Sequence, residues 1–205
     1  MKKHQSLGLA LLLAMLMGGV LIIPTGIKGA TDGNAAPAAI GATIKDFKLP
    51  DTSGKDQWLS ALKGKNGTVF IFLSARCPVV RAYNERMEKL AQDYRARGVN
   101  VVGINANNGE TLDEMKAHAA DYKLTFTMLQ DKGSKVADMF GAQVTPEAFL
   151  LDANNKLVYH GRIDNSKNDK NISANDLRDA LDAMLDGKPI AKSEVDAFGC
   201  SIKRG

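Results

Sequence analysis

A chain of 205 residues with a formal charge of +4 has the length of one domain plus terminal extensions. The charge misleads as a guide to partners: Lys2, Lys3 and Lys28 all fall in the first thirty residues, which hold no acid, and the remaining charges nearly balance. That balance gives no electrostatic reason to expect nucleic acid. Two cysteines and three histidines, without ligand spacing between them, point away from a zinc or haem site, and no motif asks for a cofactor.

Residues 1–30 read as an export segment. A basic start is followed by the apolar stretch Leu7 to Ile23, broken by Pro24-Thr25-Gly26. The stretch is 17 residues long, at the lower edge of the roughly 17–25 that span a bilayer, so the pattern fits a cleaved signal peptide and an N-terminal membrane tether alike. Either places the protein in the periplasm or cell envelope. Residues 31–42 are small and rich in Ala, Gly and Pro, the composition of a flexible linker.

The domain is expected over 43–186. Phe47 and Leu49 alternate with charged neighbours and suggest a short strand stopped by Pro50, and Trp58, Leu59 and Leu62 return the chain to the core. Thr68 to Leu73 is a run of β-branched and aromatic residues, read as a buried strand. Val79, Tyr83, Met87, Leu90 and Tyr94 then repeat at helical spacing until Gly98. Val99 to Ile104 is a second buried strand, and Thr111 with Glu114 forms a capping box for a helix reaching about Lys123. Phe126 to Leu129 is a strand, Lys135 to Phe140 a short helix closed by Gly141. Phe149 to Asp152 and Leu157 to Tyr159 form a hairpin, and Ser173 caps a last helix carrying Leu177, Leu181 and Leu185. Residues 187–205 are a tail bearing Cys200. Strands alternating with helices and then a hairpin predict an α/β fold, a central mixed sheet with helices on both faces.

The chemistry is expected where the first long strand meets its helix. Ser74-Ala75 form a corner, and Cys77-Pro78 open the helix. A sulfur there faces the unpaired N–H groups of the first turn and the positive end of the helix dipole, both of which favour a thiolate. Pro78 suits the first helical position because its missing N–H would have had no partner. The opposing reading is a buried structural cysteine.

With Cys77-Pro78 at this corner and Thr145-Pro146 before a later strand, the chain resembles the thioredoxin-like fold. It looks most like the exported, peroxiredoxin-like members of the redoxin (AhpC/TSA-like) family. The segments carrying the resemblance are FLSARCPVVRAYNERM, VVGINANNGETLDEMKAHA, LQDKGSKVADMFGAQVTPEAFLLD, LVYHGRIDN and the terminal GCSIK, spread over 43–203. The resemblance implies a three-layer fold, Cys77 as reactive thiol and a cis Pro146 facing it, with Pro78, Thr145, Pro146 and Glu147 along the edge where substrate pairs. Glu147 is then either a proton acceptor near Cys77 or a solvated charge. Ser74, three before the thiol, matches the hydroxyl expected of peroxiredoxins and is a candidate to bond the thiolate or orient a peroxide. Phe70 replaces the proline expected seven before it, and Val80 replaces the second cysteine of a local dithiol.

The implied activity is that of a thiol-dependent, peroxiredoxin-like oxidoreductase, antioxidant in class. Its substrate would be a peroxide or a protein thiol or disulfide, and an external thiol its reductant. Cys200 is the one partner thiol in the chain; a catalytic bridge, a structural bridge and two separate thiols all stay open. Two rivals stand beside this reading: a thiol–disulfide exchange partner of exported proteins, and a redox-inert peptide-binding module. Arg76, Arg81, Arg86 and Arg162 compete for a place beside the sulfur. His160, after a strand tyrosine, reads as a solvated turn, with a place on the site rim beside Tyr159 and Asp164 as the alternative.

Overall fold

The computed structural model describes residues 36–205, so the expected signal or tether lies outside the described residues. A short hairpin, β1 (Lys48–Pro50) with β2 (Asp56–Trp58), leads through the one-turn α1 (Leu59–Leu62) into β3 (Gly67–Phe72). Then come α2 (Pro78–Arg95), β4 (Val99–Asn105), α3 (Leu112–Asp121), β5 (Thr127–Gln130) and α4 (Lys135–Phe140). The second half holds β6 (Val144–Thr145), β7 (Glu147–Asp152), β8 (Leu157–Gly161), α5 (Asp176–Leu185), β9 (Glu194–Val195) and β10 (Cys200–Ser201).

Six strands form one sheet in the order β5-β4-β3-β7-β8-β9. The strands β3, β4 and β5 run parallel, joined by crossover helices, whereas β7 is antiparallel to both β3 and β8. Every residue of β3 is buried, as expected of a central strand covered on both faces. Alternation along β3 divides the core in two. Val69, Ile71 and Leu73 pack with α2, Met115 of α3, and Leu177 and Leu181 of α5. Phe70 and Phe72 pack on the other face with Leu59 and with Val136 and Phe140 of α4. A bulge between Leu150 and Leu151 shifts the β7–β8 register, so Tyr159 and Leu157 join opposite faces.

Local signals explain most element ends. Thr111 and Glu114 make the full capping box, and Gly141 and Gly98 take the left-handed conformation (φ +78° and +77°) that closes a helix without a Cβ penalty. Four expectations need correction. Trp58 is 48% exposed and outside the core; Leu59 alone of its neighbours is fully buried. The last helix is capped at Asn175 rather than Ser173, whose hydroxyl instead accepts from Asn165 Nδ2 at 2.7 Å. Docked chain begins before Thr43: Ala38 and Ile40 pack on the α4 face, and Ala38 N–H donates to Met139 O, so 38–42 are not a free linker. His160 lies in β8, stacked on Phe149, rather than in a solvated turn.

Candidate active site

The strand-to-helix corner is built from the core outward. Phe72 ends buried β3, Cys77 is the N-cap residue of α2 with extended backbone, and Pro78 is the first helical residue. Val80 is fully buried, so the position a local second cysteine would occupy is a packing position here. The corner is tied down by a residue that sequence reasoning passed over. Glu110, buried in the loop before α3, accepts from Ser74 Oγ at 2.5 Å, Ala75 N–H at 2.8 Å and Asn105 Nδ2 at 2.7 Å. Three donors converging on one carboxylate offset the cost of burying it and fix the ends of β3 and β4 relative to each other. No local pattern sets Glu110 apart from the capping Glu114 four residues later, which is why it went unmarked.

Ser74 belongs to this network: its hydroxyl donates to Glu110 and accepts from Arg76 N–H at 3.2 Å, bonds that shape the corner next to the sulfur. The arginines are also occupied. Arg76 grips Glu114 at 2.7 Å and Gly109 O at 2.8 Å, Arg86 pairs with Asp164 at 2.6 Å over the Tyr83 ring, and Arg162 pairs with Asp176 at 2.7 Å. Arg81 lines a separate cavity with His118 and Tyr122. Among the described residues, none of the four guanidinium groups bonds to Cys77 Sγ; Arg81 meets Cys77 only through the helical bond of its backbone N–H to Cys77 O.

What does meet Cys77 is the tail. β10 pairs antiparallel with β6, Cys200 opposite Thr145 and Ser201 opposite Val144. The Thr145–Pro146 bond that follows is cis, as the resemblance implied. This register brings Cys200 Sγ to 2.7 Å from Cys77 Sγ, both thiols free, while Cys77 Sγ donates to Thr145 O at 3.3 Å. Cys77 is only 3% exposed; Cys200 is half-buried. Beside them runs a groove of about 590 Å³ lined by Val79, Phe198, Gly199 and the loop 165–168.

The two thiols are driven apart in acidity. Burial pushes the Cys77 thiol up. The contact with Cys200 and hydrogen bonds from Val80 N–H, Thr145 and Cys200 N–H outweigh it, and Cys77 ends below its ordinary value. Cys200 ends above its own, chiefly through the neighbouring Cys77 sulfur and then burial. Of the two thiols, Cys77, at the helix N-terminus, is the one favoured to ionise first.

Glu147 is neither of the alternatives drawn from sequence. It is 4% exposed, so it is no solvated charge, and by strand alternation it shares the face of Phe149, opposite to Ala148 and the Cys77 cluster. Its carboxylate accepts from Gln143 N–H at 2.6 Å, Val144 N–H at 3.1 Å and His160 Nε2 at 2.6 Å. Its work is to hold β6 in place from behind. Among the described residues, no cluster of His, Cys, Asp and Glu could hold a metal ion.

A covered mixed sheet with a thiol at the strand-to-helix corner, faced by a cis-proline loop, defines the thioredoxin-like class. Residues 40–160 match the AhpC/TSA family model, and the chain belongs to that family. It is 33% identical over 140 residues to Peroxiredoxin Q, chloroplastic, of Sedum lineare, covering 62% of this chain and 72% of that one. It is 31% identical over 121 residues to the thiol-disulfide oxidoreductase ResA of Halalkalibacterium halodurans, covering 59% and 67%. Among solved structures, a hypothetical protein from Sinorhizobium meliloti 1021 matches with a TM-score of 0.76 and 37% identity, over 82% of this chain and 96% of that one.

Proposed function

We propose that this protein is a thiol–disulfide oxidoreductase in which Cys77 and Cys200 are the redox pair. The observation that carries the reading is the 2.7 Å separation of two free sulfurs brought from 123 residues apart by the pairing of β10 with β6. The Cys77 thiolate attacks one sulfur of a substrate disulfide and expels the other as a thiolate. The Cys200 thiolate then attacks Cys77 Sγ, expelling the remaining substrate thiolate and leaving the Cys77–Cys200 disulfide. The substrate gains two electrons and the pair loses two. An external dithiol restores the pair by attacking the more exposed Cys200, with Cys77 as the low-pKa leaving group.

The likeness to Peroxiredoxin Q favours a second reading, in which the Cys77 thiolate attacks an O–O bond, becomes a sulfenic acid and condenses with Cys200, releasing water. Ser74 and three of the four arginines are engaged elsewhere, which makes this the weaker fit. The redox-inert reading has no use for two sulfurs in contact. Incubating the reduced protein separately with a protein disulfide and with a hydroperoxide, under a thiol reductant, tests the choice. Turnover of the disulfide that is lost in Cys77→Ser supports thiol–disulfide exchange; turnover of the hydroperoxide alone selects the second reading. An envelope location is supported by Lys2, Lys3 and the apolar run after them; N-terminal sequencing of the mature protein distinguishes signal from tether. Among the described residues no helix is long and apolar enough to cross a membrane.

A further inference from the structure

The tail is fastened beyond β10 as well as along it. Lys203 N–H donates to Asn107 Oδ1 at 3.0 Å, and Asn108 N–H returns a bond to Lys203 O at 2.6 Å. Asn107 lies in the loop between β4 and α3, and it is bonded inward too. Its Nδ2 donates to Leu73 O and to Asn105 Oδ1, both at 3.3 Å, and its N–H donates to Asn105 Oδ1 at 2.9 Å. Asn105, 1% exposed, in turn donates to Glu110, the carboxylate that holds Ser74 and Ala75. Hydrogen bonds therefore run without a break from Lys203, just past Cys200, to the corner that carries Cys77. Asparagine suits the junction. Lys203 N–H needs an acceptor and Leu73 O needs a donor, and a side-chain amide offers one of each.

We propose that Asn107 is a positioning residue for the second step of the exchange: it docks the tail on the network that clamps the Cys77 corner, and so aims Cys200 at the Cys77 mixed disulfide. The proposal rests on the thiol–disulfide reading above. With the tail docked, Cys200 Sγ stands 2.7 Å from Cys77 Sγ, so a substrate sulfur bonding to Cys77 pushes it aside. The tail lifts in the first step and must return for the second. On its return the Cys200 thiolate attacks Cys77 Sγ and the Cys77–Cys200 bond forms. The substrate leaves as a thiolate with the electron pair of the broken bond. The bonds between Lys203 and Asn107 are made only when the tail is back, so they favour the second step and oppose the first. Asn108 serves the tail through its backbone N–H, so its side chain is dispensable to the docking.

Stopped-flow mixing of the full reduced chain with stoichiometric dithiobis-nitrobenzoate reads the two steps apart. Attack by Cys77 releases one coloured thionitrobenzoate at a rate set by the reagent concentration. Attack by Cys200 on the mixed disulfide releases the second at a rate that is not, and Cys200→Ser assigns the phases by keeping the first and losing the second. Asn107→Ala should slow the second phase about fivefold, within the net worth of one hydrogen bond, and leave the first no slower. Lys203→Pro removes the donor from the tail and leaves the loop untouched. It should slow the second phase by a similar factor, and the double variant should be no slower than the slower single one. Asn108→Ala should change neither phase. An unchanged second phase in Lys203→Pro or in folded Asn107→Ala, additive slowing in the double variant, or equal slowing of both phases overturns the proposal. If Asn107→Ala does not fold, Lys203→Pro decides alone. A wild-type chain that releases the first thionitrobenzoate and never the second removes Cys200 from the mechanism, and the thiol–disulfide reading falls together with the role of Asn107. A wild-type second phase that neither variant slows leaves that reading standing and removes Asn107 alone.

Discussion

The two cysteines touch, yet the regions that carry them are built in opposite ways. Cys77 stands where a fully buried strand meets an 18-residue helix, in a corner clamped by the Glu110 network. Cys200 stands on a two-residue strand held by main-chain bonds, by Phe198 and Ile202, and by Lys203 N–H to Asn107 Oδ1 and Arg204 to Asp138 and Ala142 O. Local stability follows the density of buried contacts, so the tail is expected to open at a lower free-energy cost than the corner. A redox pair made of one fixed and one releasable sulfur can let a third sulfur in, and a pair of two fixed sulfurs cannot.

The sharpest way to break this asymmetry is at the fixed sulfur. Cys77→Ser should lower thiol–disulfide turnover by about three orders of magnitude or more, measured at saturating reductant, with the fold intact by circular dichroism. Glu110→Ala, leaving the Ser74 hydroxyl, Ala75 N–H and Asn105 amide unpaired, should cost about 2–4 kcal/mol in global stability by denaturant unfolding. Ile202→Ala acts on the other region. It should lower the local stability of the tail by about 2 kcal/mol, seen as faster amide exchange at Ile202 and Lys203 with exchange in β3 unchanged. The smallest effect is on acidity. The rate of Cys77 alkylation against pH should have its midpoint below that of an ordinary free thiol measured alongside, and Cys200→Ala should move it upward by removing the contact that lowers it. A midpoint that stays put would show that the helix terminus alone sets the thiolate.

The same division decided what was legible in the sequence. The corner declared itself because strand, turn, cysteine and helix-starting proline are contiguous, and local physics assigns each a place. The mixed sheet with helices on both faces followed from strands alternating with helices, from the late hairpin, and from β-branched runs long enough to exceed the ambiguity of short segments. What escaped were relations between distant residues. β6 and β10 are two residues each, too short for any period to show, and their pairing depends on a chain reversal through residues 187–199. Glu110 carries no signal in the sequence, and Glu147 reads there as either a proton acceptor or a solvated charge, because a buried anion is recognised by its donors, and those donors are set by the fold. Ser74 shows the same limit: its spacing from Cys77 suggested one partner, and Glu110, 36 residues on, supplies another.

The central claim is that Cys77 and Cys200 of one chain exchange two electrons with a substrate. Disulfide mapping by mass spectrometry, on full-length protein oxidised by a stoichiometric disulfide and digested without reductant, tests it directly. The account predicts one cross-linked pair of peptides joining Cys77 to Cys200 within a monomer, absent from the reduced sample and restored to two alkylatable thiols by a dithiol. Cys77 and Cys200 each recovered as separate adducts of the oxidant, or linked only between chains, would contradict it.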